Sequence, residues 1–484
     1  MMLPNNRIPV PLATAARSHS SSVLQRALPS GEDGDGGDDA AKTFDALLND
    51  SNNYKDGDDD DQFQAAVKFI QSHPTMEMTK ERFGRIFDAI EEITKAAEQN
   101  AINTRMEQEV PMISQSRVEM TDMYDALKEA GHLRLFGSIN RDNMPVSGSH
   151  TVRPSLMEQI TLLSMKSLTP KPSNTLLYAG IVVATLEAIA SASIGWDLNI
   201  LFFATLSVAL ADRVLLNGAV SESVAKAISP ETQPKIMRHE AGHFLCAYLL
   251  GLPIEGVVLS AFAALQDPRF GPRGVSAGTS FFDRDLSNQI ANAQIKRSAI
   301  DRYSIVVMAG IAAEAIHYGQ ADGGAGDEIA LISFLSNLNG DPSASSGPVW
   351  NDLSIRNQAR YGALQAVLLL REYKECYDAL VDALERGKTL GECIYAIEDA
   401  GRKFNKLPLE KPIGFIVESS DGSDEVFVKE LPKQVSSNRE SNSQAVPSTS
   451  TASNPEDSLE SLRSMVTDKI SDLDSQIEKL DKRR

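Results

Sequence analysis

The sequence predicts a mainly α-helical protein with a small β element. Apolar residues recur at three- and four-residue steps over 62–135 and 361–385, and two apolar runs of helical length stand almost end to end at 175–216. Only two prominent runs, 254–259 and 275–282, read as strands. At 484 residues the chain is long enough for about three domains and a substantial buried core. Its three cysteines, Cys246, Cys376 and Cys393, form no C-x-x-C pair. That excludes a disulfide framework and a cysteine zinc ribbon and fits a reducing compartment. A formal charge of −19 with no locally basic segment argues against a nucleic-acid partner.

Residues 1–30 carry Arg7, Arg17, Arg26 and a serine cluster at 18–22, with no acid before Glu32. This is the composition of an organellar transit peptide, plastid slightly ahead of mitochondrion; an ordinary disordered N-terminus is the alternative. Residues 31–61 hold ten of the net negative charges and too few apolar groups to offset their ordering entropy, so they read as a solvated spacer. Over 62–135, Phe63, Ala66, Val67 and Ile70 share one helical face, as do Phe83, Ile86, Phe87, Ile90 and Ile93. This is a helical N-terminal region without evident chemistry, in which His73 and His132 read as isolated surface or loop residues.

The 175–216 stretch predicts two transmembrane helices in a hairpin, with Glu187 the only charge in the first and Asp212 and Arg213 near the end of the second. Gly180, Ala184, Ala188 and Ala192 form a ribbon of small side chains that would let the second helix approach. Lys166, Lys171, Lys226, Lys235 and Arg238 flank the pair, which places both ends on the positive-inside face. The membrane expected is that of the chloroplast, thylakoid or inner envelope, with the mitochondrial inner membrane as the alternative. The competing reading is a buried hairpin in a soluble stromal protein.

A third region, 233–410, follows Pro230 and Pro234. Beyond it, 433–455 is a Ser/Asn/Thr-rich linker, and 456–482 places Leu459, Leu462, Val466, Ile470, Leu473, Ile477 and Leu480 on a coiled-coil-like stripe. That stripe is a weak handle for a homo-oligomer.

The informative stretch is Arg238-His239-Glu240-Ala241-Gly242-His243. Pro234 suits a first helical turn, so the motif lies on a helix starting near Gln233. Residues four apart share a helix side, so His239 and His243 can offer two imidazoles to one Zn2+ while Glu240 lies beside the metal's open position as general base for a water. A catalytic zinc takes a third protein ligand. Neither an H-E-x-x-H-x-x-G-x-x-H extension nor an E-x-x-x-D signature supplies it here, and the best acidic candidate lies in the glycine-rich turn Gly323-Gly324-Ala325-Gly326-Asp327-Glu328 that opens a new helix.

With these residues in place, the sequence resembles the FtsH family of membrane-anchored zinc metalloproteases over about 233–410. H-E-A-G-H is that family's form of the motif, Gly310-Ile311-Ala312-Ala313-Glu314-Ala315-Ile316 is similar to its G-R-A-A-E-E-I helix, and Gly324-Ala325-Gly326-Asp327 is similar to its G-A-x-x-D turn with one residue missing. The resemblance implies a helical zinc-metallopeptidase domain with Asp327 as third zinc ligand; the shortened turn leaves Glu328 and Asp322 as alternatives. The family's AAA ATPase module has no counterpart here. No G-x-x-x-x-G-K-[ST] occurs, and the Gly-Lys-Thr at 387–389 has Asp382 where the first glycine belongs. What remains resembles the plastid FtsH-like proteins of plants and algae that keep the peptidase half alone.

The function expected is a membrane-anchored, ATP-independent zinc metalloendopeptidase acting on unfolded or flexible protein substrates, or one served by a separate ATPase partner. The alternative is a non-proteolytic scaffold or partner subunit of a membrane complex. Three further residues or segments carry weaker readings. Cys246, one turn past His243, reads as a small buried apolar residue; His317 reads as a core histidine or a neighbour of the metal ligands; 275–282 reads as a structural strand or as an edge that pairs with substrate backbone.

Overall fold

The computed structural model describes residues 59–428, apart from 105–113, 172–174, 216–218, 222–230, 271–276, 340–349, 419–423 and the single positions 149, 293, 407, 410 and 413. The expected transit peptide, nearly all of the acidic spacer, the 433–455 linker and the coiled-coil-like 456–482 helix lie outside the described residues.

The described residues open with three helices: α1 Asp59–Ser72, α2 Lys80–Thr104 and α3 Gln115–Glu129. Each buries the stripe its periodicity draws: Ala66, Val67 and Ile70 on α1, Phe83, Ile86, Phe87 and Ile90 on α2, Met120, Met123, Tyr124 and Leu127 on α3. A short strand β1, Val146–Gly148, and α4, Pro154–Thr161, lead to the hairpin of α5, Thr175–Ile194, and α6, Leu198–Leu215. Next come α7 Thr232–Leu249, β2 Ile254–Val258, α8 Ala261–Gln266, β3 Gly278–Phe281 and α9 Arg284–Ala291. The long α10 Arg297–Tyr318 is followed by α11 Ala325–Asn337, α12 Asp352–Glu372, α13 Lys374–Glu385, α14 Leu390–Lys403 and the strands β4 Gly414–Glu418 and β5 Asp424–Val428.

One hydrophobic core runs through α1–α3, α7, α10 and α12–α14. The N-terminal helices therefore pack into the same interior as the 233–410 region: the Phe83 ring meets Tyr395 of α14 edge-on at 5.7 Å, and Phe136 tilts between Tyr124 and Tyr248 of α7. Each such aromatic or branched side chain contributes about 1.5–3 kcal/mol when fully buried. At the centre, α10 lies against both α7 and α12. Glycine sets the α7–α10 spacing, because a Cβ at Gly242 would stand 2.6 Å from the Ala309 carbonyl oxygen and one at Gly310 would run into the His239 ring.

The β structure is slight. β1 pairs in parallel with β4, which pairs antiparallel with β5, while β2 and β3 form a separate antiparallel pair in the register Val257↔Thr279 and Val258↔Gly278. Glu255 of β2 is buried on Arg117 (Nε to Oε1, 2.5 Å) and on the Ser280 hydroxyl of β3, which locks the pair to α3. The described part of the 275–282 run is strand only over β3. The 361–385 periodicity is broken at Tyr373, which leaves the helical region (φ −102°, ψ 33°) and separates α12 from α13.

The main correction concerns the hairpin. α5 and α6 form and pack together, joined through Gly195 in a left-handed turn and started by Asp197, whose carboxylate accepts the Asn199 N–H. Among the described residues, however, no helix is long and apolar enough to cross a membrane. This overturns the transmembrane hairpin, the membrane anchor and with it the thylakoid, inner-envelope and mitochondrial inner-membrane placements. Polar groups break the apolar run: Glu187 accepts a hydrogen bond from Thr205 across the hairpin, and buried Asp212 accepts the backbone N–H groups of Val220 and Ser221. The small-residue ribbon does not face α6 either, since Gly180, Ala184, Ala188 and Ala192 are exposed while Glu187, Ala190 and Ser191 are half-buried. Nor is the hairpin a buried one.

Candidate metal centre

α7 begins with Pro234 in its first turn and is buried from His239 to Leu249, so its imidazoles and Glu240 are held among packed side chains. The Nε2 atoms of His239 and His243 are 3.0 Å apart, and Asp327 Oδ2 lies 2.9 Å from the first and 3.4 Å from the second. The far sides of both rings are committed: Nδ1 of His243 donates to the Val306 carbonyl at 2.7 Å, and Nδ1 of His239 donates to Glu314 Oε1 at 2.7 Å. With protons on Nδ1, both Nε2 lone pairs point at one spot that a carboxylate oxygen also faces. Three electron-rich atoms converging like this repel one another unless a cation, a proton or a metal ion, lies among them. The cluster is thus positioned to coordinate a metal ion, and two imidazoles with a carboxylate suit Zn2+.

Glu314 couples two parts of this cluster. One oxygen holds His239, and the other accepts the N–H groups of Asp322 (2.8 Å) and Gly323 (3.0 Å), which begin the turn leading to Asp327. Gly324 at φ +90° completes that turn where a side chain would strike Ile311. The turn is held from outside as well. Ala321 N–H donates to Ser167 O (2.9 Å), Lys171 N–H to Ala321 O (3.0 Å), and the Gln320 amide to the carbonyls of Lys166 (2.8 Å) and Thr169 (3.0 Å). A strap at 166–171, just before the hairpin, therefore clasps the turn that carries Asp327.

The electrostatics follow from burial and proximity. Burial alone would push the His239 imidazolium down, but the Asp327 and Glu314 hydrogen bonds override it and hold it up at about 10. Burial pushes the Asp327 carboxyl up, and the two imidazoles pull it far below its ordinary range. Glu314 is pushed up by burial and pulled below its usual value by His239 and the two backbone donors. Glu240 stays raised, because its burial outweighs the neighbouring imidazoles. Its Oε2 accepts a hydrogen bond from Thr279 Oγ1 of β3 at 3.0 Å.

Of the three acids weighed for the third position, only Asp327 reaches the histidines. Asp322 is ion-paired to Lys235 at 2.5 Å, and Glu328 is exposed. Cys246 is buried in the apolar core, where desolvation pushes its thiol up. His317 is exposed and stands edge-on to Tyr318, so it is neither a core histidine nor a neighbour of the metal ligands. Two residues with evident parts in the site carried no such role in the sequence reading. Glu314 left a signal, as the one acid in the otherwise uncharged stretch 303–316. Thr279 left none, because it meets Glu240 only through the placement of β3.

Compared with known proteins, the chain matches no family model, no curated protein and no solved structure. Fold and site by themselves define the class: a mainly helical protein with a His-Glu-x-x-His/Asp metal cluster of the zinc-metalloprotease type.

Proposed function

We propose that the protein is a zinc metalloendopeptidase related to the peptidase half of the FtsH family, cutting unfolded or flexible chains with no ATPase motif in its own 484 residues. The observation that carries this reading is Glu240. It is 6 % exposed, one residue from His239, and its carboxylate accepts a hydrogen bond from a threonine on a strand. A carboxyl buried in this way is costly for a purely structural element and useful to a catalyst.

In this reading His239, His243 and Asp327 would hold Zn2+, which would supply Lewis-acid polarisation of the scissile carbonyl and a more acidic water. Glu240 takes the proton of the attacking water and returns it to the leaving amine nitrogen. Thr279 keeps one Glu240 oxygen occupied, so the other meets the water, and Glu314 and the Val306 carbonyl fix the two imidazoles in the productive tautomer. Among the described residues β3 is paired on one side only, by β2. An extended peptide added along its other edge would bring a backbone carbonyl close to Thr279 and Glu240. That mode reads main chain more than side chain and suits substrates that are already unfolded; folded ones would need a separate ATPase partner.

The test is cleavage of an unfolded model protein, without ATP, by the full chain and by Glu240→Gln. Zinc-dependent cleavage that falls by about 10²–10⁴-fold in the variant, with zinc content unchanged, is the expected result. A zinc-loaded, folded protein that cuts nothing in either form would move the reading to a non-proteolytic scaffold.

A further inference from the structure

We propose that the α5–α6 hairpin is a self-association surface that docks against the same hairpin of a second copy of this chain. Fifteen large apolar side chains between Ile181 and Val214 are exposed, among them Ile200 at 70 %, Phe203 at 63 % and Leu186 at 59 %. Together they present on the order of 1,000 Å² of apolar surface, beyond the ~300–600 Å² of the largest patch on an ordinary monomer. A stable complex buries about 800 Å² on each partner, so the hairpin alone carries enough area for one.

The character of the surface selects the occupant. Glu187 is turned to Thr205 within the hairpin and Asp212 is buried against 220–221, so the described outer faces of the two helices offer no charge with which to recognise a charged or polar partner. A pair of helices that is apolar around most of its circumference is not covered by one flat patch; a second helical pair of the same length covers it by packing four helices about a common core. The same hairpin on another copy has that length, that area and the same apolar described faces, with exposed Asp197 confined to the turn between the helices. A two-fold contact then makes the surface complementary to itself.

The full chain is examined by sedimentation velocity in detergent-free buffer, alone and as Leu186→Glu and Phe203→Glu. Both positions are more than half exposed in the single chain, so the melting temperature of each monomeric variant should match that of the dissociated wild type. A concentration-dependent dimer whose dissociation constant rises more than tenfold in both variants is expected. Wild-type protein that stays monomeric through the micromolar range overturns the proposal, as does a dimer indifferent to both substitutions. So does a monomer that floats with phosphatidylcholine vesicles, since lipid is then the occupant. None of these readouts depends on peptide hydrolysis or bound metal.

Discussion

Two pairs of neighbouring helices, one studded with ionisable residues and one nearly free of them, meet opposite fates in this molecule. α7 and α10 are rich in small and aliphatic residues and lie at the centre, with glycine spacing so tight that Gly242 abuts the Ala309 carbonyl. α5 and α6 are more aliphatic still and yet stand exposed, with nothing within 4 Å of the Cβ that Gly180 would carry. The difference lies in the company the polar groups keep. On α7 and α10, His239, His243 and Glu314 find each other, Asp327 and the 319–324 turn, so the apolar surround encloses a polar nucleus. Among its described residues the hairpin has the Glu187–Thr205 contact as its side-chain hydrogen bond between the two helices, which stitches them together and reaches no further. Apolar composition recruits helices into pairs; partnered polar groups decide which pair organises a site.

The comparison is sharpened most by Glu314→Gln, which breaks the link between His239 and the Asp327 turn. Zinc affinity, read by competition with a chromophoric chelator, should fall about 10–100-fold. Affinity equal to wild type would mean that the polar nucleus is not what organises the site. Next in size is one substitution made in both pairs. Gly310→Ala places a methyl on the His239 ring and should destabilise by about 1–3 kcal/mol in urea unfolding. Gly180→Ala meets open space and should stabilise its helix by about 0.5–1 kcal/mol. Equal effects at the two positions would erase the contrast.

The smallest expected effect is on acid stability. Burial pushes Glu255 up, but Arg117 and Ser280 hold its carboxyl below the usual 4.5. A carboxyl depressed on folding contributes stability that is full above its unfolded value and is lost as the pH falls through the folded one. The β2–β3 anchor should therefore weaken below about pH 4.5. Glu255→Gln should flatten that part of the stability–pH curve, and an unchanged slope would remove Glu255 from the account.

Much of this was legible in sequence because it is local. His239, Glu240 and His243 declare themselves by spacing on a single helix, and α1–α3 by stripes of phenylalanine and isoleucine. Asp327 was singled out only through the family resemblance, with Glu328 and Asp322 left as alternatives, because the choice among the three acids depends on which one the Glu314-anchored turn aims inward. Thr279 was not legible: it reaches Glu240 across 39 residues, and nothing in the local pattern of β3 marks it. The hairpin misled for a related reason. Periodicity and hydropathy register that a segment is apolar, whereas the Thr205 hydroxyl on Glu187 and the capping of Asp212 exist only after the chain has turned back on itself.

The clasp between the 166–171 strap and Gln320–Ala321 also sets an order in time. Gln320 and Lys166 are 154 residues apart, so the turn bearing Asp327 takes its final shape only after a segment made far earlier has folded back onto it. Contacts of such separation close late, because their loop entropy must be met before they are formed. A growing chain can display both histidines while its third donor is still unpinned. The complete three-donor arrangement thus belongs to the folded chain and not to the isolated helix that carries the two histidines.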